Sequence, residues 1–211
     1  MRALSALFLT FLTFGSAETI NFDAARPGFI PPGWSVSSTD AAHPANWQVQ
    51  AENQDPAHRR VLAQLAPLKG RQDYSLALFD RSRILDGEVS VHLKLMSGKL
   101  EQSAGVVWRF QDNGNYYFAL ASADKDSVGI YKKTNNIVAP VAHASVPHRI
   151  DDREWNLMKV TFRGARMALY FDHRKLIDVE DKTIAKSGKS GVWTKADTVA
   201  YFDHFRMEKK N

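Results

Sequence analysis

The chain has 211 residues, a formal net charge of +5 at pH 7 and no cysteine. The lack of cysteine excludes disulfides, zinc–thiolate sites, a cysteine nucleophile and lipidation at a signal-peptide cysteine. The charge is mild and spread along the chain, without the basic patch that nucleic-acid binding requires, so we expect no nucleic-acid partner.

Residues 1–17 have the pattern of a signal peptide. Met1-Arg2 is a short basic start, and residues 3–14 form an apolar run that is too short to span a bilayer. Small residues up to Ala17 suit a signal peptidase, so we expect cleavage before Glu18 and a single domain over residues 18–211. No later segment is long and apolar enough for a membrane helix. The sequence predicts a periplasmic or secreted protein without membrane insertion.

The rest of the chain consists of short strand-like runs. Clusters of Gly, Asn, Asp, Ser and Lys separate these runs, and no long stretch has the 3.6-residue periodicity of a helix. The predicted strands are 47–51, 61–66, 74–79, 87–96, 105–111, 116–122, 128–133, 156–163, 166–172, 191–194 and 200–208. About eleven short strands at this spacing predict an all-β sandwich or barrel.

The strand 87–96 alternates apolar and polar residues, with Glu88 and His92 on its polar face. Consecutive strands usually lie side by side, so we expect these two side chains to neighbour the next strand, 105–111. Glu88 would then pair with Arg109, and His92 would titrate or donate a hydrogen bond.

Segment 105–120 predicts a β-hairpin. Asn113-Gly114 suits a two-residue type I′ turn, because both central residues of that turn need positive φ. Pairing outward from this turn places Arg109 opposite Phe118, and alternation then divides the side chains between two faces. One face is predicted to join the core: Trp108, Phe110 and Tyr117. The other is a polar surface that suits a hydroxyl-rich ligand: Arg109, Gln111 and Tyr116.

The polar residues of these three strands therefore form one candidate sugar-binding patch. Its members are Glu88, His92, Arg109, Gln111 and Tyr116. The alternative interpretation is a solvent face held by ordinary cross-strand pairs.

A second candidate lies at Trp193 and Lys195. A tryptophan beside a lysine at the end of a strand suits the rim of a sugar site. In the alternative interpretation Trp193 belongs to the core, and residues 195–197 form a turn in which Lys195 and Asp197 make a solvated ion pair.

The last strand contains an aspartate between aromatic residues. Alternation predicts that Tyr201, Asp203 and Phe205 share one face. A buried aspartate needs a partner. One hypothesis is a structural calcium ion held by Asp203 and Asp23, and the other is a hydrogen-bonded structural aspartate. The remaining histidines lie on predicted loops without metal-ligand spacing, so we expect no zinc and no other cofactor: His43, His58, His143, His148 and His173.

Several motifs in this order carry a resemblance to a known group of proteins. They are FDAARPGFIPPGW at 22–34, DGEVSVHLKLMSG at 86–98, GVVWRFQDNGNYY at 105–117 and SGVWTKADTVAYFDHF at 190–205. The chain resembles bacterial exported proteins with the concanavalin A-like (laminin G-like) jelly-roll fold, relatives of the 3-keto-disaccharide hydrolase domain family and of family 16 glycoside hydrolases. The resemblance implies two curved antiparallel sheets with a concave, sugar-binding face.

The chain departs from family 16 glycoside hydrolases at their catalytic motif. Those enzymes carry Glu-x-Asp-x-Glu or Glu-x-Asp-x-x-Glu on one strand, and the acidic cluster at 178–181 has a different spacing. We therefore expect carbohydrate recognition on the concave face. The alternative is a glycoside hydrolase for a disaccharide or 3-keto-glycoside, with Glu88 or His92 as the acid–base. A third class is an interaction module for a protein partner.

Overall fold

The computed structural model describes residues 17–39, 45–65, 70–151 and 153–210, so the predicted signal segment up to residue 16 lies outside the described residues. These ranges contain strands and one short 3-10 helix, Pro56–His58. The strands are β1 Ala17–Ile20, β2 Trp34–Ser38, β3 Trp47–Ala51, β4 Arg60–Gln64, β5 Tyr74–Ile84, β6 Gly87–Ser97, β7 Ser103–Asp112, β8 Asn115–Ser122, β9 Ser127–Thr134, β10 Ile137–Ser145, β11 Trp155–Arg163, β12 Arg166–Phe171, β13 Arg174–Glu180, β14 Gly188–Lys195 and β15 Val199–Lys209. No helix in these ranges is long and apolar enough to cross a bilayer.

The strands form two antiparallel sheets. The eight-stranded sheet has the order β13-β12-β11-β6-β15-β4-β3, with β1 also paired to β15. The seven-stranded sheet has the order β10-β9-β8-β7-β14-β5-β2. The predicted all-β sandwich is confirmed.

The core fills the space between the sheets and follows the predicted alternation. On β6 the inward residues Val89 and Val91 are fully buried. Rings meet across the sandwich: Trp108 of β7 stacks on Phe162 of β11 with centroids 5.8 Å apart. The strands that the sequence did not predict are β1, β2, β10 and β13. The last three end the sheets, where strands bury little surface and need no apolar alternation.

The predicted hairpin exists, but its turn type is wrong. Asp112 pairs with Asn115, which places Asn113 and Gly114 at the turn as expected. Neither central residue has positive φ, so the turn is not type I′. The carboxylate of Asp112 accepts a hydrogen bond from the Gly114 N–H at 2.8 Å, and this local bond holds the turn in its negative-φ form.

The predicted pairing of the hairpin is also wrong, because β7 bulges next to the turn. Trp108 pairs with Tyr117, so residues 109–111 face Tyr116 alone, and Phe118 lies opposite Val107. The irregular backbone of the bulge breaks the regular alternation, so the side chain that follows lies on the other face. Phe110 accordingly lies on the same face as Tyr116, and not in the core with Trp108.

Backbone conformation at the bulge is unusual. Arg109 has a φ of 49°, in the left-handed region that few non-glycine residues adopt. The neighbouring strand β14 approaches closely here: a Cβ on Gly188 would lie 2.5 Å from the carbonyl carbon of Arg109. Only glycine at this position of β14 lets the two strands approach.

The bulge turns Arg109 into the protein, where it is 1% exposed. Its guanidinium donates to the carbonyl oxygens of Leu85 at 3.0 Å, Ile184 at 2.9 Å and Gly164 at 2.8 Å. It also pairs with Asp86 at 3.2 Å. Burial lowers the pKa of Arg109, and Asp86 opposes this shift. The polar surface predicted around Arg109 is therefore absent, because this side chain ties together loops from both sheets.

Replacement of Arg109 by alanine should destabilise the fold strongly. The change leaves buried carbonyl oxygens without donors, so we expect the free energy of unfolding to fall by about 3–5 kcal/mol. Urea denaturation followed by tryptophan fluorescence measures this. The matched control is Arg59→Ala, since the Arg59 side chain is 71% exposed and pairs with Asp23; it should cost less than about 1 kcal/mol. Equal losses in the two variants would contradict the structural role.

Candidate functional site

The seven-stranded sheet carries a second apolar layer on its outer face. Its residues alternate with core residues: on β14, for example, Val192 points into the core and Trp193 points outward. The buried members of this outer layer are Tyr74, Leu76, Leu78, Val107, Phe110, Tyr116, Phe118 and Trp193. These side chains pack against one another, so the layer is buried although it lies outside the core.

A cavity of about 170 Å³ opens on this outer layer. We call it the aromatic pocket. Its lining residues come from β5, β7, β8, β9, β10, β14 and the adjoining loops: Gln72, Tyr74, Glu101, Ser103, Phe118, Leu120, Ser122, Lys125, Ser127, Tyr131, Val138, Trp193 and Lys195. The pocket thus combines aromatic rings with amide, carboxylate and ammonium groups.

The rings of the aromatic pocket hold one another in place. Trp193 meets the edge of Phe118 with centroids 4.7 Å apart. Its indole N–H donates to the Ala119 carbonyl at 2.9 Å, so the buried indole is satisfied. Tyr131 stacks on Phe118 at 5.4 Å and is partly exposed. Among these three rings, Tyr131 offers the accessible face.

Polar groups at the pocket are also fixed. Lys195 pairs with Glu101 at 2.7 Å, and their side chains are 19% and 11% exposed. Burial, and then the charge of Glu101, raises the pKa of Tyr74 and of Tyr131. Both phenols therefore stay protonated and able to donate hydrogen bonds at neutral pH.

The loop that carries Glu101 is held by Asp197. The Asp197 carboxylate accepts hydrogen bonds from the backbone N–H groups of Lys99 at 2.7 Å, Leu100 at 3.0 Å and Glu101 at 3.1 Å. The turn predicted after Lys195 is present, but the predicted ion pair between Lys195 and Asp197 is wrong, since each contacts the 99–101 loop instead.

The structure divides the predicted site residues among three places. Trp193 and Lys195 line the aromatic pocket. Tyr116 lies beside the pocket, where it is 2% exposed and packs against Phe110 and Phe118. Gln111 donates to the backbone carbonyl of Ser187 at 3.0 Å near the bulge. The Tyr116 hydroxyl is too deeply buried to form the exposed patch that the sequence predicted.

Glu88 and His92 lie on the other sheet, so the single predicted patch is wrong. Their strand β6 pairs with β11 and β15, and the chain crosses to the seven-stranded sheet before β7 begins. Glu88 contacts Arg206 at 3.5 Å, and Lys159 at 3.8 Å. It makes no contact with Arg109, whose carboxylate partner is Asp86.

Asp203 is buried, as the sequence suggested, but its surroundings differ. A bulge between Asp203 and Arg206, with a φ of 50° at His204, places both Phe202 and Phe205 in the core, so the predicted alternation is wrong. The Asp203 carboxylate contacts Nδ1 of His58 at 2.8 Å. Asp23 pairs instead with Arg59 at 3.0 Å, so the two predicted calcium ligands have separate partners. The sequence around Asp203 gave no indication that His58 would contact it, because His58 is 145 residues away in the chain.

Several solved structures share this architecture. The carbohydrate-binding module CBM66 from Bacillus subtilis aligns with a TM-score of 0.66 and 20% identity, over 84% of this chain and 96% of that chain. A Bacteroides ovatus mixed-linkage glucan GH16 protein, in complex with a G4G4G3G product, aligns with a TM-score of 0.63 and 10% identity, over 90% and 98% of the two chains. The VIP36 exoplasmic/lumenal domain, bound to Ca2+ and Man3GlcNAc, aligns with a TM-score of 0.57 and 11% identity, over 87% and 86%.

These similarities establish the fold. The predicted concanavalin A-like jelly roll is confirmed. No protein-family model and no curated protein matches the chain. At these identities the shared architecture does not transfer a function, which has to be inferred from the site itself.

Replacement of Asp197 by asparagine should loosen the wall of the aromatic pocket. Burial raises the pKa of Asp197, but the backbone N–H groups that donate to its carboxylate lower the pKa by more, so the pKa is lowered overall. A carboxylate with a lowered pKa stabilises the fold above its unfolded pKa of about 3.9, and this stabilisation is lost as the pH falls below that value. We expect Asp197→Asn to lose about 1–2 kcal/mol at pH 7, and the difference from wild type to close towards pH 3.

Thermal unfolding followed by circular dichroism at several pH values measures this difference. Asp151→Asn is the control, because Asp151 is exposed and pairs only loosely with Arg149 at 3.4 Å. A difference that stays constant with pH would show that the Asp197 charge does not hold the loop.

Proposed function

We propose that the protein binds a glycan or oligosaccharide in the aromatic pocket. One observation carries this proposal: a partly open cavity on a sheet face combines exposed aromatic surface at Tyr131 with polar groups at Gln72, Glu101 and Lys195. Ligand pockets of this kind are mainly apolar, with a few placed polar groups that fix orientation.

Sugar chemistry fits this combination. A pyranose presents a face of C–H groups, which packs against an aromatic ring, and a rim of hydroxyl groups, which need donors and acceptors. Tyr131 supplies the ring, since it is stacked flat on Phe118 with only 12° between their planes. Lys195 and Glu101 supply a donor and an acceptor in a fixed pair. Little side-chain entropy remains to be lost on binding, which favours affinity.

The fold neighbours support the same class of ligand. They include a carbohydrate-binding module and a domain whose structure contains Man3GlcNAc. Because the predicted signal segment would direct export, we propose that the protein meets the glycan outside the cytoplasm, in the periplasm or after secretion.

Recognition is favoured over glycoside hydrolysis by the composition of the pocket. A retaining glycosidase needs two carboxyl groups about 5 Å apart, and an inverting one about 6.5–9.5 Å apart. Glu101 is the one carboxylate among the lining residues that the structure describes, and it is paired with Lys195. Glu88 and His92, the acid–base candidates, lie on the opposite sheet.

The variant Tyr131→Ala should weaken glycan binding. We would screen a glycan array that includes Man3GlcNAc and a mixed-linkage glucan tetrasaccharide, and then measure affinity for a positive ligand by calorimetry. Loss of the stacking surface should raise the dissociation constant about ten-fold. Because Tyr131 is partly exposed, the melting temperature should change little.

Tyr170→Ala is the matched control for this experiment. Tyr170 is also partly exposed, but it lies on β12 of the other sheet, against Lys159. Its replacement should leave the dissociation constant unchanged. Equal weakening in both variants would remove the aromatic pocket as the binding site, and silence of the wild-type protein on the whole array would contradict glycan binding.

A further inference from the structure

Three histidines meet on the outer face of the eight-stranded sheet, away from the aromatic pocket. They are His58, His92 and His204, and one ring nitrogen from each lies within 4.8 Å of the other two. Their ring centroids are 5.1–5.3 Å apart. We call this group the histidine cluster.

Tertiary structure alone assembles the histidine cluster. His92 lies on β6 and His204 on the bulge of the adjacent strand β15, where Asp203 is directly opposite His92. His58 ends the 3-10 helix Pro56–His58, which the Asp55 carboxylate caps by accepting from the Ala57 N–H at 2.9 Å. The loop between β3 and β4 thus carries the third imidazole to the sheet.

Asp203 contacts two of the imidazoles and orients one of them, His58. Its Oδ2 lies 2.8 Å from Nδ1 of His58 and 3.0 Å from Nδ1 of His204. The contact with His58 is a hydrogen bond and leaves Nε2 of that ring for another partner, whereas the contact with His204 lacks hydrogen-bond geometry. A carboxylate behind a histidine in this way is a recurrent arrangement around protein-bound metals, where it fixes the tautomer and makes the ligand more basic.

Two of the imidazoles have an unsatisfied nitrogen. Nδ1 of His92 and Nδ1 of His204 are buried and have no hydrogen-bond partner. Buried polar atoms in native proteins are nearly always satisfied, so an unpaired nitrogen that belongs to such a cluster points to a missing ligand.

Trp155 forms an apolar wall beside the histidine cluster. It stacks on His58 with ring centroids 4.0 Å apart. An apolar wall of this kind limits the access of water to a metal site.

We propose that His58, His92 and His204 bind one divalent first-row transition metal ion, with Asp203 as the carboxylate behind His58. Three nitrogen ligands without thiolate suit zinc, nickel or copper better than calcium or magnesium. Zinc–nitrogen distances of about 2.0–2.1 Å put tetrahedral ligand atoms about 3.3–3.4 Å apart, so the rings must move closer together on binding. His204 has room to move, since its side chain is 40% exposed.

Three protein ligands leave a fourth coordination position, which water would fill. Three protein ligands and one open position are typical of zinc sites that do chemistry, whereas closed structural sites use four protein ligands. The site goes beyond the proposed glycan binding and does not depend on it, because the two lie on opposite sheets. It also differs from the expectation that the sequence raised, since local spacing gave no reason to assign zinc.

Calorimetric titration with zinc chloride tests this proposal. The protein is purified without a polyhistidine tag, treated with EDTA and dialysed. We expect one zinc ion per chain and an affinity that falls towards acidic pH, because protons compete with the metal ion for the imidazole nitrogens. The variants His204→Ala and His92→Ala should each weaken zinc binding more than about a hundred-fold. This loss exceeds the usual effect of removing a residue that only hydrogen-bonds to a metal ligand.

Three further variants make the result specific. Asp203→Asn should weaken zinc binding about ten- to hundred-fold. His143→Ala and His173→Ala are controls, because both histidines are exposed and lie outside the cluster; they should bind zinc like wild type. Circular dichroism of each variant confirms that it has folded.

Cobalt(II) gives an independent readout of the ligands. Tetrahedral cobalt absorbs in the visible range, and this band should appear in the wild-type protein and be lost in folded His92→Ala. The proposal is overturned if the wild-type protein binds no zinc, if folded His92→Ala and His204→Ala bind it unchanged, or if the two control variants lose it equally.

Discussion

The buried guanidinium of Arg109 is the contact on which the architecture most depends. A sandwich of two sheets needs its ends closed as well as its core filled, and Arg109 closes one end by donating to Leu85, Gly164 and Ile184. These residues belong to loops that join strands of either sheet. Charge-assisted bonds in a buried place are strong, and an unpaired charge there would be costly, so this side chain tolerates little change.

The bulge that buries Arg109 also builds the outer aromatic layer. Because Arg109 takes the left-handed conformation, the next residue, Phe110, points away from the core and packs on Tyr116 with centroids 5.5 Å apart. A local backbone conformation that costs about 1–3 kcal/mol is kept by the contacts around it. The same irregularity therefore closes the sandwich and extends the apolar face beside the aromatic pocket.

A second bulge, at Asp203 and His204, has a similar effect on the opposite sheet. It keeps Phe202 and Phe205 in the core and holds an aspartate and a histidine together next to His92. Bulges are concentrated near functional sites because they re-aim side chains that regular alternation would send elsewhere. The two outer faces of this protein consequently carry different chemistry. Aromatic rings with amide, carboxylate and ammonium groups lie on one face, and imidazoles lie on the other.

The sequence by itself determined the all-β class and most of the central strands, because a half-buried strand has a two-residue period that can be read locally. It also identified Trp193 and Lys195, which line the aromatic pocket. Only the tertiary structure decided the bulges at Arg109 and His204, the separation of β6 from β7 and the meeting of His58 with His204. A bulge leaves the local alternation looking intact, and the choice of sheet for each strand depends on packing between distant segments. Pairing of His58 with Asp203 spans 145 residues, a distance at which no local pattern carries information.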